Sequence, residues 1–149
     1  MSGTHNSTSG SPLSAAERAA LLETAKAALR RAYAPYSRFR VGAALATEAG
    51  NTYSGCNVEN ASYGLTVCAE RTAIFSAVAA EGAAMRIRAI AVWSDPEMPC
   101  APCGACRQVI FEFGPQAAVL FQGQDGVREV LACELLPTGF VLAPAPPVS

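Results

Sequence analysis

Histidine is all but missing from this chain: one residue, His5, in 149. That scarcity works against a Ser-His or Cys-His nucleophilic pair and against an H-E-x-x-H metal site, so any general base must be another residue type. An excess of either charge is missing too, with 11 Lys+Arg against 12 Asp+Glu and a formal net charge of -1. Affinity resting on neutralised phosphates or anionic lipid is therefore not expected, and neither a nucleic-acid polymer nor a membrane is an expected partner. No apolar run approaches the roughly 20 residues of a membrane span. The opening "MSGTHNSTSGSP" has neither the basic start nor the apolar stretch of a secretory signal. The expectation is a cytoplasmic protein with a disordered N-terminal tail over 1–13 and a single domain over 14–149. In that compartment the glycosylation patterns at Asn6-Ser7-Thr8 and Asn60-Ala61-Ser62 carry no meaning.

What is present is a globular composition, 51% hydrophobic and 15% charged, in a chain long enough for one core. Ser14-Ala15-Ala16-Glu17 reads as a capping box before an amphipathic helix running to about Ala34 and stopped by Pro35. Two strand-like runs flank Ala49-Gly50-Asn51 as a hairpin, the first rich in small residues as if something packs closely on it. Helices are expected from Cys68 to about Glu81 and over 104–114, and strands over 87–94, "AAVLFQ" and "VREVLA". The order α-β-β-α-β-α-β-β predicts an α/β fold with helices on both faces of one mixed five-stranded sheet. The segment "TAIFSAVAA" (72–80) has no charged residue. A helix without a polar stripe asks for cover on its outer side, which points to an oligomer.

Six cysteines in a reducing compartment serve as metal ligands, catalytic groups or buried thiols. Three of them, Cys100, Cys103 and Cys106 in "PCAPCGACRQ", form two overlapping C-x-x-C pairs. Catalytic zinc takes three protein ligands and keeps a fourth position open. Cys103 and Cys106, on one first helical turn, are able to face one ion, and Cys68 at the start of another helix would close the set. Helix N-termini favour the thiolate forms. Core cysteines or a redox pair would also fit a lone C-x-x-C. A C-x-E paired with P-C-x-x-C resembles the zinc deaminase signature, with cysteine where the wider signature has histidine.

"RFRVGAAL", "GCNVENASYG", "CAERTA" and "PCGACRQ" together resemble the small homotetrameric cytidine deaminases that act on free nucleosides, over about Tyr36 to Phe140. The resemblance implies a three-layer α-β-α fold, Zn²⁺ held by Cys68, Cys103 and Cys106, and hydrolytic deamination of cytidine and deoxycytidine in pyrimidine salvage. It implies Glu70 as the acid–base group, with Arg71 giving electrostatic support to the sulfurs. Phe39, Asn57, Glu59, Ala61, Tyr63, Ala69 and Phe140 become the nucleoside contacts, with Asn57 and Glu59 on the ribose 3'-hydroxyl, Phe39 against the pyrimidine and Phe140 reaching a neighbouring subunit's pocket. Cys100, before Pro102, falls outside the helix and the ligand set, and Cys56 and Cys133 are expected as buried thiols. Two rivals stand beside this reading. A closed structural zinc module would recruit Cys100 as fourth ligand. A polynucleotide-editing deaminase would need a basic channel, which the balanced charge does not supply.

Overall fold

Alternation along the central strands sorts side chains into two cores, and that sorting builds the layers. The computed structural model describes residues 12–145, so His5 and most of the expected tail lie outside the described residues. Helix α1 (Ala15–Ala28) continues as a 3-10 turn over Leu29–Arg31, and is followed by β1 (Arg40–Thr47), β2 (Thr52–Cys56), a 3-10 turn at Tyr63–Leu65, α2 (Ala69–Glu81), β3 (Ile87–Asp95), α3 (Gly104–Phe113), β4 (Ala118–Gly123), β5 (Gly126–Leu131) and α4 (Ala132–Leu135). The sheet order is β2-β1-β3-β4-β5. Only β3 and β4 run parallel, so the sheet is mixed as expected.

Val41, Ala43 and Leu45 of β1, with Ile90 and Val92 of β3, face the core shared with Ala73, Ile74 and Ala77 of α2 and Ile110 of α3. The intervening Ala44, Ala89, Ala91 and Trp93 face Leu21, Ala25 and Leu29 of the α1 layer. Leu13, at the end of the segment assigned to the tail, is buried in that same cluster, so the packed chain already includes it.

Small residues set how near the helices come. A Cβ on Gly42 would lie 2.0 Å from the Ala25 carbonyl oxygen of α1, and one on Gly55 would lie 2.4 Å from the Ala73 nitrogen of α2. Either strand position therefore needs glycine, since backbone on both sides leaves nothing soft to move. Through Gly55, β2 fixes the depth at which α2 sits, and α2 carries Cys68 and Glu70 at its start.

At two boundaries the difference from expectation has a clear structural cause, and the burial of one helix differs too. The Ser14–Glu17 capping box forms on both sides, but the first helix stops at Ala28 and its 3-10 extension at Arg31, short of Ala34. Tyr33 instead donates its N–H to the Asn57 carbonyl and accepts the Glu59 N–H, so tertiary pairing overrides local helix propensity. The last strand ends at Leu131, one residue early, because Ala132 opens α4 and Glu134 accepts the Leu131 N–H at 2.7 Å. The uncharged segment 72–80 of α2 is not buried all round in the single chain: Phe75, Ser76, Ala79 and Ala80 form an exposed outer face.

Candidate active site

Cys68 and Cys103 occupy equivalent places, each the N-cap residue of its helix with extended backbone. The α2 start is held by the preceding loop, where Val58 and Val67 exchange both backbone hydrogen bonds. The α3 start is held by the segment after β3, where the Cys100 N–H donates to the Gln122 carbonyl at the end of β4. The two helix N-termini thus meet beyond the C-terminal ends of the parallel pair. The Sγ atoms of Cys68, Cys103 and Cys106 all lie within 4.8 Å of one another.

The donor set fits zinc. A tetrahedral ion with sulfur at ~2.3 Å separates two ligand sulfurs by about 3.8 Å. Cys68 Sγ and Cys103 Sγ are 3.8 Å apart, far beyond the length of a disulfide. Cys68 and Cys106 do not ionise alike. Cys68 is pulled down to about 5 by the hydrogen bond from the Cys106 thiol, against the cost of burial, with the Arg71 guanidinium and Cys103 adding to the pull. Cys106 is driven upward, chiefly because its thiol is bonded to Cys68 and because it is buried. Cys68 thereby takes the negative charge and Cys106 keeps its proton, and a divalent cation is what would let both act as thiolates.

Arg71 Nη2 donates to Cys68 Sγ at 3.3 Å, which puts a permanent positive charge beside the sulfurs. Its Nε is buried without a hydrogen-bond partner among the described residues, a cost accepted to hold the guanidinium there. Glu70, on the same first turn, is only 5% exposed. Burial pushes its carboxyl up to about 7, and the nearby Cys68 charge adds to the rise. A carboxyl poised near neutrality has the properties of a group that both takes and gives protons. Ala69, between Cys68 and Glu70, is fully buried.

Cys100 stands apart. It packs half-buried against the main core, and burial pushes its thiol up to about 11, with the Glu70 charge adding. That keeps it a neutral thiol, outside the three-sulfur cluster. Cys56 and Cys133 are half-buried where full burial was expected.

The second group of site residues gathers around Phe39. Asn57 Oδ1 accepts the Val41 N–H at 2.8 Å, and its Nδ2 donates to the Phe39 carbonyl at 2.8 Å. Glu59 accepts the backbone N–H groups of Tyr36 and Ser37 at 2.9 and 3.2 Å. Together with Tyr36, Ser37, Tyr63 and Thr66, Glu59 lines a cleft of about 390 Å³. Tyr63 stacks edge-on against Tyr36, with centroids 5.8 Å apart. Ala61 is exposed on the loop between Glu59 and Tyr63. A larger cavity of about 740 Å³ involves Arg86, Pro115 and Leu131 but none of the clustered cysteines, nor Glu70.

Phe140 is not gathered into the packed chain; it stays 69% exposed. Its backbone, however, is fixed. Gln108 of α3 donates to the Phe140 carbonyl at 2.9 Å and accepts its N–H at 3.2 Å. Arg107 donates to the carbonyls of Pro102 and Leu135. Sequence reasoning passed over Arg107 and Gln108, although "PCGACRQ" contains both. It also passed over Ser37, for which the sequence carries no signal.

Residues 15–122 match the family model described as "Cytidine and deoxycytidylate deaminase zinc-binding region". The chain belongs to this deaminase family. A cytidine deaminase of Sporosarcina psychrophila is 47% identical over 122 residues, covering 80% of this chain and 88% of that protein. One from Halalkalibacterium halodurans is 48% identical over 126 residues, with 83% and 94% covered. Among solved structures, the cytidine deaminase of Burkholderia pseudomallei superimposes with a TM-score of 0.74 at 55% identity, covering 82% of this chain and 98% of that one. The family's fold is therefore this fold, and its zinc-binding region spans all three clustered cysteines. Among the described residues no helix is long and apolar enough to cross a membrane.

Proposed function

We propose that the chain is a single-domain, zinc-dependent enzyme that hydrolyses cytidine and deoxycytidine to uridine and deoxyuridine plus ammonia, serving pyrimidine salvage in the cytoplasm. The observation that carries this reading is Glu70, a nearly buried carboxyl one residue beyond Ala69 from a three-sulfur cluster. Cys68, Cys103 and Cys106 would hold the metal, and zinc bound there supplies the Lewis acidity that makes water nucleophilic at neutral pH.

Glu70 takes the proton of the attacking water and places it on N3 of the cytosine ring as the water oxygen adds to C4. It then takes the remaining proton from the C4 hydroxyl of the adduct and delivers it to the departing amine; the C4–N bond breaks as the C4 carbonyl forms, and ammonia leaves. Three thiolates make an electron-rich ligand set, and Arg71 offsets part of that charge through its bond to Cys68. Asn57 and Glu59 receive the ribose 3'-hydroxyl, Phe39 lies against the pyrimidine, and Ala61, Tyr63 and Ala69 complete the pocket.

Free nucleosides are the expected substrates, because nothing in the charge balance offers a polynucleotide a track. Turnover of cytidine should be nearly constant between 50 and about 500 mM salt, since phosphate contacts are what make binding steeply salt-dependent. Efficient deamination of single-stranded DNA with little action on cytidine would reverse this assignment.

The working unit in this proposal is a homotetramer with shared pockets. Two uncovered apolar surfaces support it: the outer face of α2 with Phe75 half exposed, and the run Phe140-Val141-Leu142. Covering them contributes roughly 25 cal/mol per Å² before the cost of association. Phe140→Ala should leave a tetramer by light scattering and raise KM with kcat little changed. An active monomer would contradict the shared pocket.

A further inference from the structure

Glu59 has fewer open acceptor positions than its exposure suggests. Its Oε1 accepts two backbone N–H groups, from Tyr36 at 2.9 Å and Ser37 at 3.2 Å, which fills both lone pairs of that oxygen. Its Oε2 accepts the Ser37 hydroxyl. One lone pair, on Oε2, is left for a ligand. Ser37 in turn has its hydroxyl direction decided by its neighbours. Its Oγ accepts the Phe39 N–H at 3.0 Å, so its proton is free to point only to Glu59.

That arrangement depends on a turn the chain does not adopt readily. Arg38 lies in the left-handed region at φ 58°, where a non-glycine residue is held only by its surroundings. The turn brings the Phe39 N–H back onto the Ser37 oxygen two residues earlier, a local serine turn. The Phe39 carbonyl is gripped from the other side by Asn57 Nδ2 at 2.8 Å. Asn57, Phe39, Ser37 and Glu59 are thus one hydrogen-bonded chain, with Ser37, among the described residues, the side chain that links Glu59 to the Phe39 backbone.

We propose that Ser37 is a positioning residue that leaves Glu59 a single, aimed acceptor for the sugar hydroxyl and so sets the enzyme's discrimination for a nucleoside carrying it. This inference rests on the reading of Glu59 as the 3'-hydroxyl contact. Without the Ser37 hydroxyl, Oε2 regains a second open lone pair, water fills it, and the carboxylate loses the bond that fixes its rotation.

The test compares cytidine with 3'-deoxycytidine in the full-length, zinc-loaded protein carrying Ser37→Ala, Ser37→Thr or Glu59→Gln. Ser37→Ala should raise KM for cytidine roughly 10-fold, as expected for losing a hydrogen bond to a charged group. KM for 3'-deoxycytidine should stay near the wild-type value, so the preference between the two falls by the same factor. Ser37→Thr, which keeps the hydroxyl, should restore it. A role confined to stability or loop shape would shift both substrates alike, and that outcome, or no shift in either, overturns the proposal. If Glu59→Gln abolishes the preference while Ser37→Ala keeps it, the Ser37 assignment alone fails. If Glu59→Gln leaves the preference intact, the reading of Glu59 fails and Ser37 falls with it.

Discussion

Glu70→Gln is expected to retain the metal and bind cytidine while losing at least about 10²–10⁴-fold in kcat, the range for a general acid–base group. The amide is close in shape to the carboxyl and should keep the packing of a residue only 5% exposed. It cannot take a proton from water and later return one to the amine, so both proton transfers lose their carrier. Thermal stability should stay near the wild-type value as activity collapses. A Glu70→Gln protein with near wild-type kcat would mean that another group moves the protons.

The second large effect separates two neighbouring cysteines. Cys103→Ala removes one of three clustered sulfurs and leaves two, too few to hold zinc against exchange with solvent. It also removes the sulfur that accepts the Cys106 N–H at the start of α3. Zinc content and turnover should both fall to background. Cys100→Ser, three residues earlier, changes a neutral, half-buried thiol that lies outside the cluster. Zinc stoichiometry should stay near one per chain, and kcat/KM should change by less than about 3-fold, the scale of a small core adjustment. Loss of zinc in Cys100→Ser with retention in Cys103→Ala would reverse the ligand assignment. Loss in both would favour a closed four-sulfur site and a structural module.

The site's cysteines were legible because their chemistry is local. C-x-E and P-C-x-x-C each sit on one helical turn, and a helix start is marked in sequence by its cap. The hairpin around Ala49-Gly50-Asn51 was legible for the same reason, since its turn residues are contiguous in the chain, whereas the sorting of Val41, Ala43 and Leu45 to one core and Ala44 to the other emerged only with the packed helices. What the sequence left hidden depends on distant chain. The first helix ends early because Tyr33 pairs with Asn57 and Glu59, more than twenty residues away. Helix α4 begins where β5 was expected to continue, on a cap from Glu134 that competes with strand propensity. Ser37 looked like an ordinary loop serine, because its role exists only once Arg38 turns left-handed and Glu59 arrives beside it. Glu70 carried the least legible property of all. A first-turn glutamate is normally solvated, and only the stacking of α2 on β2 through Gly55 brings this one into the interior.

The most direct test of the account is to incubate the purified protein with cytidine and follow the ultraviolet change to uridine, with ammonia measured in parallel and with a zinc chelator in a second arm. Uridine and ammonia are expected in equal amounts, with activity lost as the chelator removes zinc and recovered on adding zinc back. Zinc bound at one per chain with no conversion of cytidine or deoxycytidine would contradict it.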